Sequence, residues 1–189
     1  MSHPQLLMRR SDVDDPPVAL PPFAIVRTAG RDDAPVLAAL LHRAFPEKEW
    51  TLEKTMGAFF DDPTVRATFV AQRQSGGPLL ATASARIDPM NFPDDGYLHW
   101  VGADPDARGL GLGRAVSLAA MRHLRGLGLG RIVLETDDHR LPAIHLYRSL
   151  GFAPVPWHET HPARWERIER ALAATPRRQA QGDPGIHHP

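Results

Sequence analysis

The chain has 189 residues, with 22 Lys plus Arg against 22 Asp plus Glu, so its formal net charge is zero and its pI is about 7.2. That balance argues against a basic nucleic-acid grip. Hydrophobic residues make up 42% and charged residues 23%, the composition of an ordinary one-domain globular protein. Cysteine is absent, which excludes disulfides, thiolate nucleophiles and zinc sites that need Cys ligands. The opening MSHPQLLMRR lacks the apolar stretch of a secretory signal, and no apolar run is long enough to span a bilayer. The expectation is a cytoplasmic protein with neither nucleic-acid nor membrane partners.

Proline is spread unevenly. Of 19, five lie in residues 1–22, six from Pro154 onward, and the remaining eight span 23–153. Rich ends around a middle of ordinary density predict a flexible N-terminal segment over 1–22, a compact domain over 23–175 and a disordered tail over 176–189.

Within that domain the apolar period switches between two and about 3.6, the pattern of mixed α/β structure. Phe23 to Arg27 reads as a strand. Asp32 or Asp33 can cap a helix with Val36, Leu37, Leu40, Leu41 and Ala44 on one stripe and Pro35 in its first turn. A second helix places Leu52, Met56, Phe59 and Phe60 on one face. Val65 to Arg73 and Leu79 to Ile87 flank Gln-Ser-Gly-Gly-Pro and read as a hairpin. Tyr97 to Ala103 is a further strand, followed by a glycine-rich turn and a helix from about Gly111 to Leu127. Ile132 to Thr136 is a short buried strand. Leu141 to Leu150 is a helix with Pro142 near its start and Gly151 at its end, and Phe152 to Val155 is a strand. A last amphipathic helix carries Trp165, Ile168 and Leu172, a surface open to a homodimer contact or an intrachain one.

Arg-Gly-Leu-Gly-Leu-Gly occurs at 108–113 and again at 125–130. An anion cradle needs a strand feeding the glycine loop and a helix starting from it, so that backbone N–H groups and the helix dipole converge on the anion. The first copy meets that order. The second ends a helix and precedes a strand, where its glycines serve a cap and a turn. Neither G-x-G-x-x-G nor G-x-x-x-x-G-K-[ST] is present, so dinucleotide and P-loop readings fail.

Val101-Gly-Ala-Asp-Pro-Asp-Ala-Arg-Gly-Leu-Gly-Leu-Gly113, followed by Leu141-Pro-Ala-Ile-His-Leu-Tyr-Arg-Ser-Leu-Gly-Phe152, resembles the GNAT superfamily of acyl-CoA-dependent N-acyltransferases. The resemblance covers roughly residues 23–156. It implies a single α/β domain with a mixed central sheet flanked by helices. It also implies transfer of an acetyl group from acetyl-CoA to a small-molecule or peptide amine by direct attack through a tetrahedral intermediate. By that resemblance, the backbone amides of Arg108, Gly109, Leu110, Gly111, Leu112, Gly113 and Arg114 hold the CoA pyrophosphate, and the backbone of Val101, Gly102 and Ala103 pairs with pantetheine. Tyr147 sits where the family commonly protonates the departing thiolate, and His99 where some members carry a base. The position seven residues before the tyrosine, often Asn in the family, is Arg140 here, where an arginine can reach a phosphate.

Glu135 and Asp137 can receive a cationic amine or cap the next helix. Phe45, Trp50, Phe59, Phe60 and Phe92 are candidates to border the acceptor pocket. The histidines at 139, 145, 158 and 161 have no ligand spacing of a known metal site, so no metal is expected. The alternative function is a non-catalytic acyl-CoA-binding or sensor domain of the same fold.

Overall fold

The computed structural model describes residues 4–11, 15–17 and 19–174. In chain order the strands are β1 (Leu6–Arg10), β2 (Ala24–Thr28), β3 (Val65–Arg73), β4 (Leu79–Asp88), β5 (Phe92–Ala103), β6 (Arg131–Thr136) and β7 (Ala153–Val155). The helices are α1 (Ala34–Ala44), α2 (Leu52–Met56), α3 (Leu112–Gly126), α4 (Leu141–Ser149) and α5 (His161–Ala174). One seven-stranded mixed sheet runs in the order β2-β3-β4-β5-β6-β1-β7. Every element expected between Phe23 and Leu172 is present, with bounds shifted by a few residues. The second helix is the most altered, since after Met56 the chain continues as a π-turn over Gly57–Asp61.

The flexible segment expected over 1–22 is corrected by β1, which lies inside the sheet, antiparallel to both β6 and β7. Leu6 and Met8 are fully buried and Leu7 nearly so. Burying side chains of this size is worth about 1.5–3 kcal/mol each, ample to hold a five-residue strand. The proline count concealed it because Pro4, Pro16, Pro17, Pro21 and Pro22 flank the strand and none interrupts it. Beyond β1, Asp15 accepts from buried Arg10 and pairs with Arg125 of α3, so the chain crosses that helix on its way to β2. The expected tail over 176–189 lies outside the described residues.

The main core packs α3, α4 and α5 on one sheet face, from Leu98, Ile132 and Leu134 to Val116, Ile144 and Trp165. Trp165 is therefore buried against its own chain. On the other face α1 covers part of the sheet, with Leu37, Leu40, Leu41 and Phe45 packed on Val70 and Leu79. No helix among the described residues is long and apolar enough to cross a membrane.

Candidate active site

The two copies of the glycine hexapeptide fold differently. In the first, Gly109 (φ +83°) and Gly111 (φ +74°) adopt left-handed backbone that L side chains avoid, and Gly111 is the residue on which α3 starts. The Ala115 amide makes the first bond of α3, to the Gly111 carbonyl, while residues 109–114 donate no backbone hydrogen bond among the described residues. Six consecutive free N–H groups at a helix start are the donor set that an anion cradle requires. Arg108 is the exception in the expected set, because its amide already donates to the Pro105 carbonyl at 3.4 Å. In the second copy, Gly126 ends α3, Gly128 (φ +84°) donates to the Arg125 carbonyl and Leu129 to that of Leu124, which makes it a helix cap.

β5 and β6 run parallel and pair only from Asp95↔Arg131 to Tyr97↔Val133. Beyond that point β6 keeps its ladder with β1 and β5 keeps its ladder with β4, so the two strands part. A bulge in β5 accentuates the parting: between the pairs Ser84↔His99 and Thr82↔Gly102, Trp100 and Val101 face the single residue Ala83. Trp100 has φ +46°, left-handed backbone that costs a tryptophan on the order of 1–3 kcal/mol. Packing against Trp50 (4.7 Å between ring centroids) and Phe45 (5.5 Å) holds it there. Val101, Gly102 and Ala103 thus present a strand edge that β6 does not cover. Gly102 has a further reason to be glycine, since a Cβ there would fall 2.9 Å from the Phe45 ring and α1 could not approach.

A cavity of about 300 Å³ occupies the fork. His99, Trp100, Tyr97, Glu135 and Asp137 line it, and so do Leu98, Ala143 and Tyr147, whose packing belongs to the α3–α4 face. The opening therefore passes through the sheet and brings the two expected catalytic residues, His99 and Tyr147, to one space. Burial pushes the Tyr147 phenol well above its usual range, against the lowering influence of the Arg140 cation, so it stays protonated. Burial and the nearby Arg86 cation lower His99 to about 4, partly offset by Asp62, so the imidazole is neutral at pH 7. Its Nδ1 is buried without a hydrogen-bond partner. The ordinary histidine value expected from sequence is thus displaced by the protein around it.

The Tyr97 hydroxyl donates to Glu135 Oε2 at 2.6 Å, and burial together with that bond raises the Tyr97 pKa. Arg140 donates to Glu47 and to Asp137 (3.3 Å) and lies over the Phe45 ring. Two of its five N–H donors are therefore engaged by carboxylates beside the cavity. Of the aromatic candidates only Phe45 lines this cavity. Trp50 and Phe59 stand behind it around Trp100, and Phe92 packs on Tyr97 beneath. Sequence reasoning missed Gln5, Lys48 and Trp100 in the lining. Among the described residues no group of three or more His, Cys, Asp or Glu could hold a metal ion.

Comparison with known proteins agrees with this fold. A mycothiol acetyltransferase of Thermomonospora curvata is 36% identical over 160 residues, covering 78% of this chain and 51% of that protein. The chain thus spans about half the length of the curated relatives it matches. Among solved structures, a GCN5-related N-acetyltransferase from Sphaerobacter thermophilus superposes with a TM-score of 0.65 at 20% identity, covering 81% of this chain and 50% of that one. An aminoglycoside N-acetyltransferase in complex with CoA superposes at 0.58 with 17% identity, over 69% of this chain and 88% of that one. Residues 35–152 match the acetyltransferase (GNAT) family, and the chain belongs to that family.

Proposed function

We propose that this chain moves an acetyl group from acetyl-CoA to the amine of a small molecule by direct attack. The observation that carries the reading is the junction of two features: a cradle of free amides at the start of α3, and a fork between β5 and β6 whose cavity holds His99 and Tyr147. The names of the relatives, mycothiol and aminoglycoside acetyltransferases, support a small-molecule acceptor.

In this reading the amides of Gly109 to Arg114 hold the pyrophosphate, where the dipole of α3 favours negative charge. The uncovered edge at Val101 to Ala103 aligns the pantetheine arm, and N–H groups there polarise the thioester carbonyl, a contribution of a few kcal/mol. Acetyl-CoA itself supplies the activated acyl group. An alkylammonium with a pKa near 10 cannot hand its proton to an imidazole near 4 without a cost of roughly 8 kcal/mol. The acceptor therefore reacts as the free amine, its first proton lost to solvent beforehand, and His99 takes the second proton once bond formation has made the nitrogen acidic and passes it to solvent. Tyr147, kept neutral by burial, donates to the sulfur as it departs.

The test is release of CoA thiol with a panel of primary amines, read by a thiol reagent; the cysteine-free chain adds no background. Amine-dependent release that falls in Tyr147→Phe is expected. Tight acetyl-CoA binding with no release across the panel would instead identify a sensor.

A further inference from the structure

β1 does more than fill the sheet. Its register with β6 ends at Leu6↔Thr136, and one step further Gln5 and Asp137 stand opposite each other at the mouth of the cavity. Gln5 Nε2 donates to Asp137 Oδ1 at 3.1 Å. The orientation of the amide follows from chemistry, because an ionised carboxylate only accepts. Asp137 Oδ2 takes the second bond, from Arg140 Nε. Both carboxylate oxygens are thereby fixed while each keeps a lone pair, and Gln5 Oε1 has no partner among the described residues.

The residues next to this pair are clamped as well. Arg164 of α5, only 6% exposed, donates from Nη1 to the Pro4 carbonyl at 2.7 Å and from Nε to both oxygens of Asp138 at 3.0 Å. One guanidinium thus ties the residue before Gln5 to the residue after Asp137. The result is a pair of fixed acceptor oxygens facing a cavity, held from α5 and α4, and no step of the proposed chemistry uses it.

We propose that Gln5 and Asp137 form an acceptor subsite that receives a hydrogen-bond-donating group of the amine substrate, a second ammonium or a hydroxyl, away from the reacting nitrogen. Gln5 is then a specificity-determining residue supplied by the N-terminal strand. This rests on the acetyl-transfer reading, which assigns the cavity to the acceptor.

The experiment titrates the CoA-loaded protein with 1,6-diaminohexane and with n-hexylamine, which share one chain length and differ in the second donor. The parent is expected to bind the diamine about five- to tenfold more tightly, beyond the roughly twofold advantage of two equivalent ends. Gln5→Ala and Asp137→Asn should each reduce the preference to that twofold level. Gln5 is exposed and offers one side-chain bond, so its variant keeps the parent melting temperature. Equal affinities in the parent, no binding of either amine, or a preference that survives both substitutions would overturn the subsite. Should the parent fail to bind CoA, the acetyl-transfer reading fails separately, and the same comparison on the CoA-free protein still decides the subsite.

Discussion

Tyr97 on β5 and Glu135 on β6 are joined by a 2.6 Å hydrogen bond just where their strands begin to part. The phenol fixes one oxygen of a carboxylate that faces the cavity. Tyr97→Phe removes the bond and leaves the ring's packing, so a loss of about 1 kcal/mol in unfolding free energy is expected. The carboxylate then moves, and KM for the amine should rise severalfold while KM for acetyl-CoA stays constant. Steady-state kinetics with each substrate varied in turn, beside denaturant unfolding, check both expectations.

Tyr147→Phe tests the donor to sulfur. The ring is buried against Phe152 (6.1 Å between centroids) and within the main core, so the phenylalanine keeps the packing. Turnover should fall by about 10²-fold, the usual scale for a lost general acid, with acetyl-CoA affinity unchanged. Full turnover in the variant would remove Tyr147 from the chemistry.

His99 links the site to acid stability. Its folded pKa of about 4 lies below the ordinary 6.5, so between those values the unfolded chain binds more protons than the folded one. Stability from this group is complete above pH 6.5 and declines as pH falls toward 4, by roughly 3 kcal/mol at most. Unfolding of the parent between pH 7 and 4 should show that decline, and His99→Gln should flatten it. The flattening is partial, because burial and nearby Arg164 also lower buried His161. An unchanged pH slope in the variant would show that His99 is not held neutral by the fold.

β1 gives a stability prediction. Leu6→Ala removes a fully buried side chain between β6 and β7 and should cost about 2–5 kcal/mol. A melting temperature within a degree or two of the parent would mean that the strand does not belong to the cooperative unit.

How legible each part was follows from how local its cause is. The first glycine loop could be read because glycines with positive φ are needed at 109 and 111 whatever surrounds them. The α4 cap at Gly151 (φ +87°) was legible for the same reason. β1 escaped because a five-residue strand was averaged with the prolines around it. The bulge at Trp100 escaped because tryptophan disfavours the conformation it adopts, and the groups packed around it, Trp50, Phe45, Phe59 and Lys48, are distant in sequence. The Gln5–Asp137 pair joins residues 132 positions apart, and nothing near either one signals the other. His99 was legible as a candidate from its place in β5, while its lowered pKa depends on burial that only the packed fold supplies.

The most direct test of the account is calorimetric titration with acetyl-CoA of the parent, Gly113→Glu and Gly126→Glu. Gly113 lies in the first turn of α3 with ordinary helical backbone, and a Cβ there meets only Leu146 Cδ2 at 3.6 Å. A carboxylate at a helix start suits the fold yet competes with pyrophosphate. Gly126 is exposed, in the second copy of the hexapeptide, with open space for a side chain. Binding by the parent and by Gly126→Glu, and loss of at least about tenfold in affinity in Gly113→Glu, is the predicted result. Equal binding by all three would contradict placement of the cofactor on the first glycine loop, and with it the proposed site.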